Sequence, residues 1–523
     1  MNKVHVRTHD PSRRAFLRQA GALSMMAARA APLALNLAAI GQASAQSASD
    51  YRALVCVFLF GGNDSFNMVL PTDTASWTAY TATRNQAPDP IALLAPGAAA
   101  NASAAAGSPA RLGGVLPIGP LNPQGRTFAL HPLMGALRTM FDTDRRLAIV
   151  ANVGPLIVPT TKAQYAQSNH PKPKRLFSHN DQQNTWMAFE PEGATRGWGG
   201  RIGDLLYASH NTNAVFTSVS ASGNSVWLAG QQIQQYQVGS NGAIRLGTDA
   251  NGRVFGSAVV GHALAQIAGS ARGTHLFEMD MAAVAQRSMA AEAMLRTALK
   301  PASDPLFGTP PASGNYSASS DPKLQYPNPL SGTNSFNALA QQLQTVARMI
   351  DAGMAGAIGV RRQVFFVSMG GFDTHDLQNR NHADLMARLA HALRYFDDTL
   401  GAMGARHNVT TFTATDFGRT FTSNGDGTDH GWGSHQFVMG GAVRGGDIYG
   451  RFPQIGVKNA NNNRFDSSPD QLDNGSLLPE ISVDQFAATL ARWMGVSDAD
   501  ALTIFPNLGN FDPSVRNLGF MNT

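Results

Sequence analysis

Cysteine is nearly missing from this chain: Cys56 is the only one in 523 residues. No disulfide framework is therefore available to staple the fold. Cys56 sits inside the apolar run 53–60, where a small buried hydrophobe is expected. Net charge is scarce too, once the N-terminus is set aside. The first 45 residues hold six basic side chains (Lys3, Arg7, Arg13, Arg14, Arg18, Arg29) and one acid, Asp10, so the 40 basic and 35 acidic residues of the whole chain become 34 of each. A neutral remainder disfavours nucleic acid as a partner, and the precursor's basic balance says nothing about anionic membranes. Membrane-length apolar runs, near 20 residues, are absent beyond the N-terminus, so no integral span is expected in the mature chain. No internal repeat is present either; the Ala-rich and Gly-rich passages are compositional bias.

The N-terminus itself carries a pattern. Ser12-Arg13-Arg14-Ala15-Phe16-Leu17-Arg18 has the paired arginines of a twin-arginine signal. A weakly apolar stretch from Ala20 to Ile40 follows, and then the small-residue run Ala43-Ser44-Ala45. These three regions predict a signal peptide over 1–45, recognised by the twin-arginine export machinery, and a periplasmic or extracellular mature protein. A membrane anchor or a disordered basic tail is the alternative, but Arg29 and Pro32 interrupt the stretch and make it a poor spanning helix. The remaining residues, 46–523, are enough for one large α/β domain with insertions, or for two domains; the single domain is the reading adopted.

Short, nearly continuous apolar runs at Leu54–Phe60, Leu147–Val153, Val364–Ser368 and Thr410–Thr415 predict strands buried on both faces, with Val215–Val219 a weaker candidate. Leu385, Leu389, Leu393, Phe396 and Leu400 recur at three- and four-residue spacing and predict a helix over about 381–400. Helices are also expected over Ser335–Ala352 and Met279–Leu299. Alternating strand and helix implies an α/β fold: a doubly wound, mostly parallel sheet with helices on both faces. The Ala/Gly/Pro/Ser-rich segment 85–126 and the Pro/Ser/Asn/Gly-rich segment 301–335 read as irregular insertions.

Ligands of such sheets bind beyond the carboxyl ends of the strands, and four polar segments fall there or nearby. They are Gly61-Gly62-Asn63-Asp64-Ser65, Phe177-Ser178-His179-Asn180-Asp181, Gly370-Gly371-Phe372-Asp373-Thr374-His375, and Thr415-Asp416-Phe417-Gly418-Arg419-Thr420 with its following loop Gly427-Thr428-Asp429-His430-Gly431-Trp432-Gly433-Ser434-His435. Carboxylates and imidazoles are ligands for zinc-like ions, and glycines let the backbone bend round one. Asp373 and His375 are two positions apart, so on an extended backbone both point to one side. Each Asp taken alone is equally a helix cap or turn former, Asp416 is equally a salt-bridge partner of Arg419, and a lone His is usually an ordinary core or surface residue. The set together is harder to read that way, because clustered acids repel unless cations or a metal pair with them.

Taken in order, these segments resemble an exported bacterial family of unknown function, numbered 1501, over essentially the whole mature chain from Tyr51. That family is similar to the alkaline phosphatase and sulfatase-like superfamily. The resemblance implies an alkaline-phosphatase-like fold with one or two divalent ions, zinc first, with manganese, magnesium or calcium as alternatives. It implies that Asp64, Asp373, His375, Asp429, His430 and His435 are ligands, with Asp416 competing with Asp429 for the place beside His430. Ser178 falls near the place of the nucleophile, with His179 as a further ligand or an acid/base. Arg419, Arg201 or Asn63 would hold ester oxygens. The implied chemistry is metal-assisted hydrolysis or transfer of a phosphate or sulfate ester, carried by a small molecule or a polymer. A sulfatase using an oxidised cysteine is disfavoured, since Cys56 lies in a strand core without a downstream Pro-x-Arg. Two alternatives remain: a catalytically inactive metal-binding scaffold or interaction protein of the envelope, and a polymer binder using Trp186, Trp198 and Trp432.

Overall fold

A computed structural model describes residues 50–240, 242–243, 247–249, 252–271 and 273–522. The signal sequence expected over 1–45 lies outside the described residues. The centre of the fold is a ten-stranded sheet. Its elements, with the helices that matter for the site, are β1 (Arg52–Leu59), β2 (Leu147–Gly154), α1 (His179–Ala188), α2 (Trp198–His210), β3 (Ser218–Ser220), β4 (Tyr236–Gly239), β5 (Gly242–Ala243), α3 (Ala338–Met354), β6 (Arg362–Met369), α4 (Gln378–Ala402), β7 (Val409–Thr415), β8 (Ser434–Met439), β9 (Ile448–Tyr449), β10 (Ile481–Ser482) and α5 (Val483–Met494). The order across the sheet is β9-β2-β8-β7-β1-β6-β3-β4-β5, with β10 also pairing β2. Strands β7, β1, β6, β3 and β4 run parallel; β8 is antiparallel to both its neighbours, and β5 is antiparallel at the edge.

The alternation of β1 explains why the sheet is covered on both sides. Tyr51, Ala53, Val55, Val57 and Leu59 face one layer, in which Leu343, Val346 and Ile350 of α3 meet Leu389, Leu393 and Phe396 of α4. Leu54, Cys56 and Phe58 face the other, against Trp198 and Ile202 of α2 and Phe486 and Leu490 of α5. A strand with no solvent face can carry an apolar residue at every position, which is the run the sequence displays. Each fully buried large aliphatic or aromatic side chain stabilises the fold by about 1.5–3 kcal/mol. Cys56 is a free thiol buried in this core.

Helix ends follow local chemistry. The Asn337 side chain accepts from the Leu339 and Ala340 amides to start α3, and Ser482 with Gln485 forms a capping box at α5. The start of α4 is different. Leu377 takes a left-handed conformation without a side-chain cap of its own, and the Asp426 carboxylate accepts from its amide instead, at 2.9 Å.

The expected strands and helices are all present, with ends shifted by a few residues. The weak candidate Val215–Val219 splits into a 3-10 turn, Ala214–Phe216, and the short β3. The 85–126 segment is mostly loop, with a single-turn helix Pro109–Leu112 and a strand Leu116–Ile118. The 301–335 segment holds 3-10 turns, the strand Gln325–Pro327 and the start of its hairpin partner, Asn334–Phe336. Trp186, Trp198 and Trp432 are buried, and the Trp198 and Trp432 ring N–H groups donate to backbone carbonyls. That removes the polymer-binding alternative built on them: these rings are core. No helix among the described residues is long and apolar enough to cross a membrane.

Candidate metal centre

The segments at the ends of β1, β6 and β7 meet because these three strands are neighbours in register: Leu59 lies opposite both Met369 and Thr415. Close approach then demands glycine. A Cβ on Gly61, whose φ is +115°, would lie 2.3 Å from the Asp373 amide nitrogen, and one on Gly427 would lie 2.3 Å from the His375 backbone. The Asp373–His375 segment is thus clamped between two glycine-bearing loops. The start of α1 closes the fourth side.

His179, Asp373 and His430 each offer a ligand atom there, and these atoms lie within 4.8 Å of one another. Every one is held from behind. The His179 Nδ1–H donates to Asp416 Oδ2 at 2.7 Å, so in the neutral imidazole its Nε2 carries the lone pair. That Nε2 is buried and has no hydrogen-bond partner, although Asp373 Oδ2 lies 3.3 Å away. The His430 Nδ1–H donates to the Phe177 carbonyl at 2.7 Å, which again directs a lone pair inward, 3.2 Å from Asp373 Oδ1. Arg419 Nη1 donates to Asp373 Oδ1 at 2.6 Å. An imidazole fixed by a carboxylate or carbonyl on its far nitrogen is the usual arrangement behind a metal ligand. Two imidazole lone pairs converging on a carboxylate favour a cation between them.

Electrostatics divides the group. The hydrogen bond to Asp416 holds the His179 imidazole above its ordinary range, against the lowering effect of burial. Burial lowers His430, and neighbouring His179 and Arg419 add to this, with the Phe177 carbonyl pulling the other way. Burial would raise Asp373, but the hydrogen bond and charge of Arg419, with His179 and His375, hold it below the usual carboxylate range.

The other expected residues are placed as follows. His375 lies at the rim, its Nε2 3.0 Å from His430 Nε2 and 3.1 Å from Asp373 Oδ1; its Nδ1 is 3.3 Å from Asp429. The Asp429 side chain is 60% exposed and accepts from Asn424. Asp416 is fully buried and accepts from the Gly61 amide and Gln183 as well as from His179. Neither acid stands beside His430: Asp416 backs His179, and Asp429 faces His375.

Ser178 directs its hydroxyl to Asp181 Oδ2 at 2.8 Å. Arg419 is enclosed, bonded to Asp373, Gly61 and Thr428, so its reach ends at Asp373 rather than at an ester oxygen. Arg201 donates to the Ile504 carbonyl, away from the group. Asn63 is buried against Thr415, Met68 and His382.

Asp64 and His435 are not among the gathered ligands. Asp64 is buried in an ion pair with Arg84. His435 lies within β8; its Nδ1 accepts from the Asn152 amide at 3.0 Å, and its ring packs on Phe452. Burial, with the charge of Arg126, pushes it down to about 3, so it is a neutral core histidine. Sequence reasoning missed two supports. Gln183 shares a face of α1 with His179 at four-residue spacing, a signal that was there to be read; Arg84 is 20 residues from Asp64, with no local pattern linking them.

Two solved structures of Ps i-CgsB, one in complex with k-i-k-neocarrahexaose, are similar to this chain at 8% and 9% identity. Each has a TM-score of 0.31 and covers 88% of this chain and 77% of its own. No curated protein matches the sequence. The model of the family described as "Protein of unknown function (DUF1501)" matches residues 51–504, and the chain belongs to that family.

Proposed function

We propose that this protein is an exported, metal-dependent hydrolase or transferase acting on a phosphate or sulfate ester outside the cytoplasm. The observation that carries the reading is the buried, unpartnered His179 Nε2, aimed at a carboxylate and a second imidazole lone pair. His179, Asp373 and His430 would hold one divalent ion, zinc first. When bound, such an ion supplies positive charge that polarises the ester and stabilises charge on its oxygens.

The remaining work falls to the chain itself. Asp416, the Phe177 carbonyl and Arg419 keep the three ligands aimed, which lowers the reorganisation needed at reaction. His375, half-exposed at the rim, would hand a proton to the departing alcohol in this reading. Ser178 is the nucleophile in this reading. Its oxygen bonds phosphorus or sulfur as the ester bond breaks, and its proton passes to Asp181 Oδ2. Water then cleaves the serine ester: its oxygen bonds phosphorus or sulfur as the bond to Ser178 Oγ breaks, one water proton goes to His375, and the proton on Asp181 returns to Oγ.

A second reading, an ion-binding envelope protein without turnover, has its own support. The Ser178 hydroxyl is directed into Asp181, itself held by Arg175 and the Glu192 amide, and Arg419 is engaged elsewhere. Assay of zinc-loaded protein on a panel of aryl phosphates and sulfates separates the two. The enzyme reading requires turnover that Ser178→Ala abolishes; a loaded wild type inert on the whole panel leaves the second reading standing.

A further inference from the structure

The first-strand carboxylate, Asp64, does not fit an ion. Its Oδ1 accepts from the Phe66 amide at 3.2 Å and from Arg84 Nη2 at 3.0 Å. Its Oδ2 accepts from Arg84 Nη1 at 2.6 Å and from Gln378 Nε2 at 2.5 Å. Both oxygens thus have two donors apiece, near the capacity of a carboxylate.

The cation facing it is equally complete. Arg84 Nε donates to the Phe421 carbonyl, Nη1 also to Asn67 Oδ1, and Nη2 also to the Thr420 carbonyl, so all five N–H groups are engaged. The guanidinium lies over Phe66, Phe421 and Tyr80, with its carbon 5.1, 5.6 and 6.0 Å from the ring centres. Neither side chain is exposed at all.

Gln378 connects this pair to the metal centre. It is fully buried. Its amide N–H reaches Asp64, while its Oε1 accepts from Thr428 Oγ1 at 2.7 Å and Thr374 Oγ1 at 3.3 Å. Thr374 lies between Asp373 and His375. Thr428 lies two residues before His430, its amide donates to the Thr374 carbonyl, and its own hydroxyl accepts from Arg419 Nε. Separately, the Gln378 backbone N–H donates to the Asp426 carbonyl. One side chain thus ties the loop of Asp373 to the loop of His430.

Taking the His179–Asp373–His430 centre as read above, we infer that this site holds one ion and not two. Arg84 replaces a second cation at Asp64, and Asp64 with Gln378 is a positioning device that sets the spacing of the two ligand loops. Asp64 and Gln378 act through Thr374 and Thr428 and touch neither ion nor ester.

The test pairs zinc titration with hydrogen exchange on the wild type, Asp64→Asn and Gln378→Met, the last chosen to keep the packing volume. Expected are one zinc per chain in all three, about tenfold weaker binding in Gln378→Met, in line with supports behind metal ligands, and faster exchange of the Thr428 amide in that variant. Two zinc ions in the wild type falling to one in Asp64→Asn would overturn the inference, as would zinc affinity and Thr428 exchange both unchanged in Gln378→Met. If the wild type binds no zinc, the reading of the centre fails. Faster Thr428 exchange in Gln378→Met would then still uphold the clamp, and unchanged exchange would overturn it as well.

Discussion

Two carboxylates stand at the ends of parallel strands in this protein, Asp64 fully buried and Asp373 42% exposed, and their surroundings are opposite. Asp64, after β1, is surrounded by donors: Arg84, Gln378 and a backbone amide meet both its oxygens. Asp373, after β6, is approached by Arg419 on one side and by inward imidazole nitrogens on the other. The first is a completed structural node, since every polar atom lost to water is repaid by a partner. The second faces one buried imidazole nitrogen, His179 Nε2, that has no hydrogen-bond partner in a partly enclosed space, a costly arrangement unless a cation meets it. Similar residue types at equivalent strand ends therefore do different jobs, and the difference lies in what faces them.

Breaking the completed node should give the largest effect. Arg84→Met leaves Asp64 charged and enclosed, and a loss of about 3–5 kcal/mol is expected, measured by urea unfolding. A loss below about 1 kcal/mol would show that the pair is not a node. At the centre the expectation is the reverse, stabilisation by added ion. Zinc at 100 times its dissociation constant should raise stability by about 2.7 kcal/mol, seen as a higher melting temperature that His179→Ala removes.

Histidines sharpen the contrast further. His179 is held above its ordinary range by Asp416, whereas His435 and His382 are pushed down by burial, to about 3 and about 4. A histidine whose folded pKa is depressed contributes stability that is present above its unfolded value, near 6.5. That contribution is lost as pH falls toward the folded value. Stability of the ion-free protein should therefore decline from about pH 6.5 to about pH 4, by about 1.4 kcal/mol per pH unit for each such histidine. His435→Gln keeps an acceptor for the Asn152 amide and should make that decline shallower by one proton's worth; an unchanged slope would place the acid sensitivity elsewhere. The smallest effect belongs to the rim. Asp429→Ala removes an exposed acid and should shift stability by less than about 0.5 kcal/mol and zinc affinity by less than twofold in calorimetric titration.

The sheet was legible because β1, β2, β6 and β7 are enclosed on both faces and so display unbroken apolar runs. β8 was not, since His435 and Gln436 interrupt its pattern. Each finds a partner inside the sheet: Gln436 Oε1 accepts from Thr413 Oγ1, leaving its Nε2 unpaired, and His435 Nδ1 accepts from the Asn152 amide. The glycine-rich loop 427–435 thus ends within a strand rather than before one. At the centre, residue type and strand-end position singled out Asp373, His375, Asp416 and His430. They could not separate ligand from support, because that depends on which nitrogen of an imidazole is engaged from behind. His179 was read as a further ligand or an acid/base beside Ser178, and its bond to Asp416 turns it toward the other two converging groups. The fate of Asp64 was hidden for another reason: its partners Arg84 and Gln378 are 20 and 314 residues away, joined by tertiary packing that no local pattern records.

The most direct test of the account is calorimetric titration of ion-free protein with zinc, run on the wild type, His179→Ala and Asp373→Ala, with circular dichroism confirming that each variant is folded. The account predicts one zinc per chain for the wild type and no saturable binding in either variant. Absence of binding in the wild type, or equal binding in all three, would contradict it.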